Sequence, residues 1–115
     1  MSDLKYEPVP ELPRDVIERD LVGSDPEKVS AALYSATYHD PDWKWVQEQC
    51  LRLLKHADVG VRWDAATCLG DLAMFHKALD VSRVVPELVE AAKEERIRDA
   101  AETSISFINQ AIKPQ

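Results

Sequence analysis

Apolar residues recur along this chain at spacings of three and four, which is the period of an amphipathic helix. The clearest stripe lies between two polar breaks and consists of Trp43, Val46, Cys50, Leu53 and Leu54. The chain has 3 glycines, which is few for a protein built from tight hairpins. The pattern therefore predicts an all-α fold.

Short breaks divide the apolar pattern into six predicted helices. Aspartate stands before several of them, where its carboxylate can accept a hydrogen bond from a free backbone N–H, and Pro26 follows Asp25 at a first helical position. The predicted helices cover about 14–23, 26–38, 42–55, 59–76, 82–93 and 95–112, with the fourth and sixth the longest. Because the breaks are short, neighbouring helices are expected to form antiparallel hairpins.

The beginning of the chain differs from the rest. Pro8, Pro10 and Pro13 follow one another closely, and the first two lack an amide donor and push their neighbours towards extended backbone. The sequence therefore predicts an extended, proline-containing N-terminal arm over residues 1–13 and a domain of helical repeats over residues 14–112.

Two of the predicted helices repeat each other. The segment that begins at Asp58 aligns with the segment that begins at Glu94, at an offset of about 36 residues. This offset pairs residues of the same type, namely Val61 with Ile97, Arg62 with Arg98, Ala65 with Ala101, Leu69 with Ile105, and Leu72 with Ile108. A weaker copy begins at Asp25, where Ser30 stands in place of the arginine.

The repeated pattern resembles the second helix of a HEAT repeat. It is carried by Asp58, Val61, Arg62, Ala65 and Leu69, and more loosely by the copy that contains Ile97, Arg98 and Ala101. The resemblance implies a right-handed α-α superhelix of about three HEAT-like helical hairpins, of the armadillo/HEAT type. It also implies that the aspartate caps its helix, that the arginine pairs with acids of the neighbouring repeat, and that the alanine lets helices approach closely. Arg62 and Arg98 are therefore expected to be structural.

In a solenoid the second helix of each hairpin lines the concave face. At 100° per residue, the side of each such helix that points away from the core is predicted to be open. The resulting strip consists of Ser35, His39, Asp64, Thr67, Asp71, Thr103 and Phe107. A partner-binding surface is the functional hypothesis for this strip, and an ordinary solvated helix face is the alternative.

The three tryptophans lie in different positions. Trp43 falls on the apolar stripe and is expected in the core, whereas Trp45 lies off that stripe and is expected to be exposed, which suits an interface anchor. Trp63 lies opposite the main stripe of its helix, on the same side as Gly70. Because a glycine allows close helix approach, packing against an adjacent repeat is the favoured interpretation of Trp63, and partner binding is the alternative.

The net charge of the chain limits the classes of partner that it can bind. The chain has 14 basic and 21 acidic residues, a net charge of -7 and an isoelectric point near 4.9. Such a chain is a poor counterion for phosphate, so we expect no nucleic-acid partner. Residues 1–42 hold ten of the acids and four of the bases. This surplus fits either a solvated surface or an acidic surface that attracts a basic protein.

The sequence contains no recognisable catalytic signature. Cys50 and Cys68 lie on predicted core stripes and are expected to be buried free thiols. His39, His56 and His76 form neither an HExxH motif nor a His-x3-His pair, and the glycines form no phosphate-binding loop, so we expect no metal, no cofactor and no enzymatic activity.

Two arrangements around His39 remain as weaker alternatives. His39 with Asp40 and Asp42 suits a cation, although a helix-breaking turn explains these residues and is favoured. His39 with Ser35 and Asp64 would be the one nucleophile arrangement on the predicted face, and it is not favoured.

No apolar run reaches the roughly 18 residues that span a bilayer, and the acidic, proline-broken start is unlike a signal peptide. We therefore expect a soluble, cytoplasmic protein without a membrane partner, most simply a monomer.

A small acidic HEAT-like chain resembles the bacterial immunity proteins that neutralise a toxin domain, including those of contact-dependent inhibition systems. The resemblance implies a non-catalytic protein that binds a cognate toxin domain, and the charge suggests that this domain is basic. The alternative is a HEAT-type assembly module that binds a cellular protein, for which Trp45, Trp63 or Phe107 would matter more than the acids. A lyase or a DNA-glycosylase-like enzyme on the same scaffold is the least favoured possibility, since Asp64 and Asp71 would repel DNA.

Overall fold

A computed structural model describes residues 8–112, and this part of the chain is helical, with no strand. The all-α prediction is confirmed. The helices are α1 (Arg14–Leu21), α2 (Pro26–His39), α3 (Trp43–Leu53), α4 (Val59–His76), α5 (Val81–Ala91) and α6 (Arg98–Ala111), with a 3-10 turn (Glu95–Ile97) leading into α6. The first seven residues of the predicted arm lie outside the described residues.

Aspartates start three of the helices, as their positions in the sequence predicted. The Oδ1 atoms of Asp25, Asp42 and Asp58 accept hydrogen bonds from backbone N–H groups in the first turns of α2, α3 and α4, at 3.0, 3.2 and 3.0 Å. Each bond satisfies a donor that the helix itself leaves free. These caps fix where the helices begin.

The start of α6 departs from the prediction. Glu94 makes no cap, and the first turn is 3-10, so α6 has 14 residues, the same number as α2. Both carboxylate oxygens of Glu94 instead accept from Arg62, at 3.0 and 2.8 Å. The prediction that α4 and α6 are the longest helices is confirmed for α4, with 18 residues, whereas α6 shares second place with α2.

The helices form two layers of three. Helices α2, α4 and α6 pack side by side as an inner layer, and α1, α3 and α5 pack behind them as hairpin partners. The core lies between the layers, and its largest fully buried side chains include Leu33, Leu53, Leu69, Leu72 and Leu88. Helix α4 is the central element, because it contacts both other inner helices and α3.

Gly70 allows a close contact between two helices of the inner layer. A β-carbon placed on Gly70 of α4 would lie 2.8 Å from the Cα atom of Ser104 on α6. The Ser104 hydroxyl donates a 2.5 Å hydrogen bond to the carbonyl of Ala66 across the same contact. The close approach predicted from Gly70 is therefore present, and it joins α4 to α6.

The repeated residues have the structural roles expected of them, with one exception. The apolar members Val61, Ala65, Leu69, Ile97 and Ala101 are all buried. Arg62 pairs with Glu94, the first residue of the next repeat copy. The exception is Arg98, which is exposed and donates to the backbone carbonyl of Ala92 at 2.9 Å rather than to an acid.

Two aromatic residues predicted to lie in the core are closer to the surface. Phe75 follows Leu72 by three positions, a helical spacing that predicts a place on the buried stripe of α4, yet it is 58% exposed. It stands in the last turn of α4, where its ring packs on the ring of Tyr38 at 4.6 Å instead of entering the core. Trp43 is partly buried and packs against the edge of the core.

Candidate partner-binding face

The open side of the inner layer carries two clefts that share α4 as a common wall. We name them the α4–α6 cleft and the acidic cleft. Trp63 lines the first and Asp64 lines the second, and these are consecutive residues of α4. Since successive residues of a helix point about 100° apart, one turn of α4 presents a tryptophan to one side and a carboxylate to the other.

The α4–α6 cleft is mainly apolar and encloses about 260 Å³. It is lined by Trp63, Thr67, Asp99, Ala100, Thr103, Ser104 and Phe107. Trp63 is 40% exposed, Thr103 is exposed and Phe107 is half-buried. The structure therefore brings three of the predicted strip residues, Thr67, Thr103 and Phe107, into one cleft with Trp63.

The acidic cleft lies where α2 and α4 begin and encloses about 620 Å³. Its lining residues are Asp25, Pro26, Glu27, Ser30, Asp58, Gly60 and Asp64. No lysine or arginine lines it, and none of its four carboxylates belongs to an ion pair within residues 8–112. Among the described residues the cleft is therefore a region of negative potential, in which only Asp58 has a base close by, Arg62.

Two tyrosines of α2 hold the aspartates of α4. The Tyr34 hydroxyl donates to Asp64 Oδ1 at 2.9 Å, and the Tyr38 hydroxyl donates to Asp71 Oδ2 at 3.0 Å. Burial, with the neighbouring acids, raises the pKa of Tyr34 well above its ordinary value, so its phenol stays a neutral donor. Burial also raises the pKa of Asp71, and the Tyr38 hydrogen bond partly opposes that shift.

The prediction that Ser35 lies on the open strip is wrong. Ser35 is 1% exposed, and its Oγ accepts a hydrogen bond from the backbone N–H of Leu12 at 2.9 Å. His39 remains exposed, but its Nε2 lies 2.7 Å from the carbonyl oxygen of Val9. The N-terminal arm therefore packs on this side of α2, in the place that a preceding repeat would occupy.

Sequence reasoning missed Tyr34 and Tyr38, which are the α2 residues that face the acids of α4. Their spacing of four, which places two phenols on one side of a helix, was the available signal. The carboxylates of the acidic cleft other than Asp64 were also missed, because Asp25 and Asp58 were interpreted as caps alone.

His39, Asp40 and Asp42 build the turn between α2 and α3. Asp40 Oδ1 accepts from the N–H of Asp42 at 2.8 Å, and Asp40 Oδ2 accepts from Arg14 at 3.1 Å. With Asp42 capping α3 and His39 bonded to the arm, these side chains have structural partners.

The other two tryptophans lie away from both clefts. Trp45 was expected to be exposed, but it is half-buried, with the guanidinium of Arg14 3.7 Å from its ring centre. It lines a separate cleft of about 470 Å³ with Trp43, Glu48 and Asp80. Trp63 faces α6, as its favoured interpretation predicted, but it is 40% exposed and lines the α4–α6 cleft, so partner binding stays open as the alternative.

The two thiols are buried and free, as predicted. Burial raises the pKa of Cys68 well above its usual value, and the neighbouring Cys50 adds to the shift. A thiol that stays protonated is a poor nucleophile. In the described part of the chain, no helix is both long and apolar enough to cross a membrane.

Comparison with known proteins gives a fold match. No protein-family model matches the chain, and no curated protein does. A solved structure matches the chain in fold. It is a chain in the crystal structure of a CDI complex from Cupriavidus taiwanensis LMG 19424, with a TM-score of 0.84 and 23% sequence identity. The match covers 93% of this chain and 96% of that chain, so the two share one fold over most of their lengths.

Proposed function

We propose that this chain is a cytoplasmic immunity protein of a contact-dependent inhibition (CDI) system, which binds a cognate toxin domain and blocks its activity. The observation that carries the proposal is the fold match to a chain of a CDI complex over nearly the whole length of both chains. The HEAT-like repeat at Asp58 and Glu94 and the net charge of -7 support it independently.

The mechanism is coverage of the toxin rather than chemistry. The groups that would serve a reaction are otherwise engaged, since Ser35 and His39 bond the arm and the Cys68 thiol is buried. A rigid helical face that blocks a toxin's substrate site needs no reactive group. The uncompensated carboxylates of the acidic cleft suit a toxin surface that is basic.

The test begins with the tagged full-length chain, purified from the cells that make it and washed first at low and then at high salt. The protein released by salt is identified and expressed alone and together with this chain. We expect growth arrest when it is expressed alone and normal growth when the two are expressed together. Recovery of a harmless cellular complex instead would contradict the proposal and favour the assembly-module alternative.

The charge of the partner is tested separately. Attraction between exposed charges is screened over about 8–10 Å at physiological salt, so the affinity for the toxin should fall as sodium chloride rises. We expect a loss of about tenfold or more between 50 and 500 mM, measured by calorimetric titration. An affinity that stays flat would show that the partner is not recognised through basic residues, while leaving the immunity function in place.

A further inference from the structure

We propose that the α4–α6 cleft and the acidic cleft form one two-part docking surface. The first part takes an aromatic or aliphatic side chain of the partner, and the second takes a lysine or arginine that lies next to it. The identity of the partner as a toxin rests on the proposed function, whereas the chemistry of the docking surface rests on the two clefts.

The first step is the geometry of the shared wall. Trp63 and Asp64 are consecutive on α4, and each lines a different cleft. From Asp58 to Thr67 the helix rises only about 14 Å. A single short segment laid across this part of α4 therefore reaches the tryptophan on one side and the carboxylates on the other.

The α4–α6 cleft has the properties of an anchor pocket. Its volume of about 260 Å³ lies below the roughly 300–1,000 Å³ of pockets that hold small-molecule ligands, which favours one inserted side chain. Trp63 and Phe107 supply aromatic walls, and tryptophan is enriched among the residues that dominate binding energy. The hydrogen bond from Ser104 to Ala66 and the close packing at Gly70 hold the two helices together before any partner arrives.

The carboxylates of the acidic cleft determine which side chain of the partner binds next to the α4–α6 cleft. Three of the carboxylates in the acidic cleft accept a hydrogen bond through Oδ1 only. The donors are backbone N–H groups for Asp25 and Asp58, and the hydroxyl of Tyr34 for Asp64. Within residues 8–112, Oδ2 of each has no hydrogen-bond partner. Arg62, the nearest base on α4, is held by Glu94. Fixed carboxylates with unused oxygens suit a guanidinium or an ammonium group.

The same charge argues against a second copy of this chain. Two chains of net charge -7 repel each other, and the acidic clefts would face acidic surfaces. The rest of the predicted strip also contributes little. The arm covers Ser35, and Asp71 is half-buried and bonded to Tyr38. The docking surface is therefore centred on the first half of α4.

The experiment uses a phage library of random twelve-residue peptides. It is selected on the full-length chain alone, and the enriched peptides are then measured against the Trp63→Ala variant. We expect the enriched peptides to carry a lysine or arginine within a few positions of an aromatic or aliphatic residue. Enrichment of acidic peptides, or of peptides that bind both proteins equally, would overturn the proposal.

A selected peptide is then synthesised, and its Kd is measured by fluorescence anisotropy. We expect Trp63→Ala to weaken binding about 30-fold and Trp63→Phe to retain most of it, because the phenyl ring still fills the cleft. Glu27→Gln combined with Asp64→Asn should weaken binding about tenfold at 50 mM salt and much less at 500 mM, where the charges are screened. These two acids are chosen because neither caps a helix.

Matched variants serve as controls. Phe75→Ala removes another exposed aromatic residue of α4, and Asp15→Asn removes an exposed acid of α1, both outside the clefts. Each should change Kd less than twofold, and circular dichroism should show that every variant remains helical. If the two controls weaken binding as much as the cleft variants do, the peptide does not bind in the clefts and the proposal is wrong.

The outcome separates this inference from the proposed function. If the chain protects cells from a toxin but Trp63→Ala and the Glu27/Asp64 double variant bind that toxin unchanged, the docking surface is wrong and the immunity function stands. If no toxin is found but binding of the selected peptides depends on Trp63 and on Glu27 and Asp64, the proposed immunity function is wrong and the proposed docking surface is supported.

Discussion

At the scale of single residues, Gly70 decides how closely α4 and α6 approach. An added β-carbon would lie 2.8 Å from Ser104 Cα and 2.5 Å from its hydroxyl. The first of these neighbours is a backbone atom, which cannot move without shifting α6 as a whole. The residue with no side chain therefore sets the geometry of the cleft that contains Trp63 two turns earlier.

We expect Gly70→Ala to lower the free energy of unfolding by about 2–3 kcal/mol, because overpacking a close helix contact forces the backbone apart. Urea unfolding followed by circular dichroism measures this effect. Gly23→Ala is the control, since its β-carbon would meet neighbours at ordinary contact distances of 3.4 Å or more. Equal stability of the two variants would mean that α6 shifts freely and that the helix contact is not tight.

At the scale of elements, α4 ends on an unusual residue. Lys77 follows the helix with a φ of 54°, in the left-handed region that glycine enters without cost. Its N–H donates to the carbonyl of Ala73 at 2.9 Å, so this conformation closes the helix. A side chain at this position strains the end of the central helix.

Replacing Lys77 with glycine should therefore stabilise the protein by about 0.5–1 kcal/mol, despite the greater freedom of glycine in the unfolded chain. Thermal unfolding measures the change. Lys77→Ala removes the same charge but keeps the β-carbon, so it should give no comparable gain. A gain of the same size from alanine would place the effect in the lysine charge rather than in the backbone.

The ion pair between Arg62 of α4 and Glu94, which lies just before the 3-10 turn that leads into α6, is expected to be pH-sensitive. The hydrogen bond from Arg62 lowers the pKa of Glu94 below its ordinary value. Because the folded pKa is below the unfolded value of about 4.3, the pair's stabilisation is complete above that pH and is lost as pH falls through the folded pKa. The ion pair should thus contribute nothing in strong acid.

Glu94→Gln provides the measurement. Unfolding free energies of the wild-type and the variant should differ at pH 7, and the difference should shrink steadily below about pH 4.5 as Glu94 takes up a proton. Glu95→Gln, next to it in the sequence and without an ion pair among residues 8–112, is the control and should change the free energy of unfolding at pH 7 less than Glu94→Gln does. A difference that is constant with pH would assign the effect to packing instead of charge.

At the scale of the whole molecule, the sequence predicts the helices well and the faces less well. Periodic apolar residues and aspartate caps are local signals, so they located the six helices and the buried stripe of Val61, Ala65 and Leu69. Which side of a helix stays open depends on what packs there from elsewhere in the chain. Ser35 was misplaced because the arm covers it, and how much of Trp63 stays exposed beside α6 depends on the spacing of the two helices, which the local pattern does not contain.

Net charge and local contacts should act on different rate constants of toxin binding. The field of the whole molecule accelerates encounter, and any removed acid weakens it, whereas only groups inside the interface slow dissociation. We compare the Asp15→Asn, Glu95→Gln double variant with the Glu27→Gln, Asp64→Asn double variant, since both change the net charge from -7 by the same amount.

By surface plasmon resonance, both should lower the association rate constant about twofold to fivefold at low salt. Only the second should raise the dissociation rate constant, and an equal rise in the first would mean that the acids of α1 or the 3-10 turn also contact the toxin.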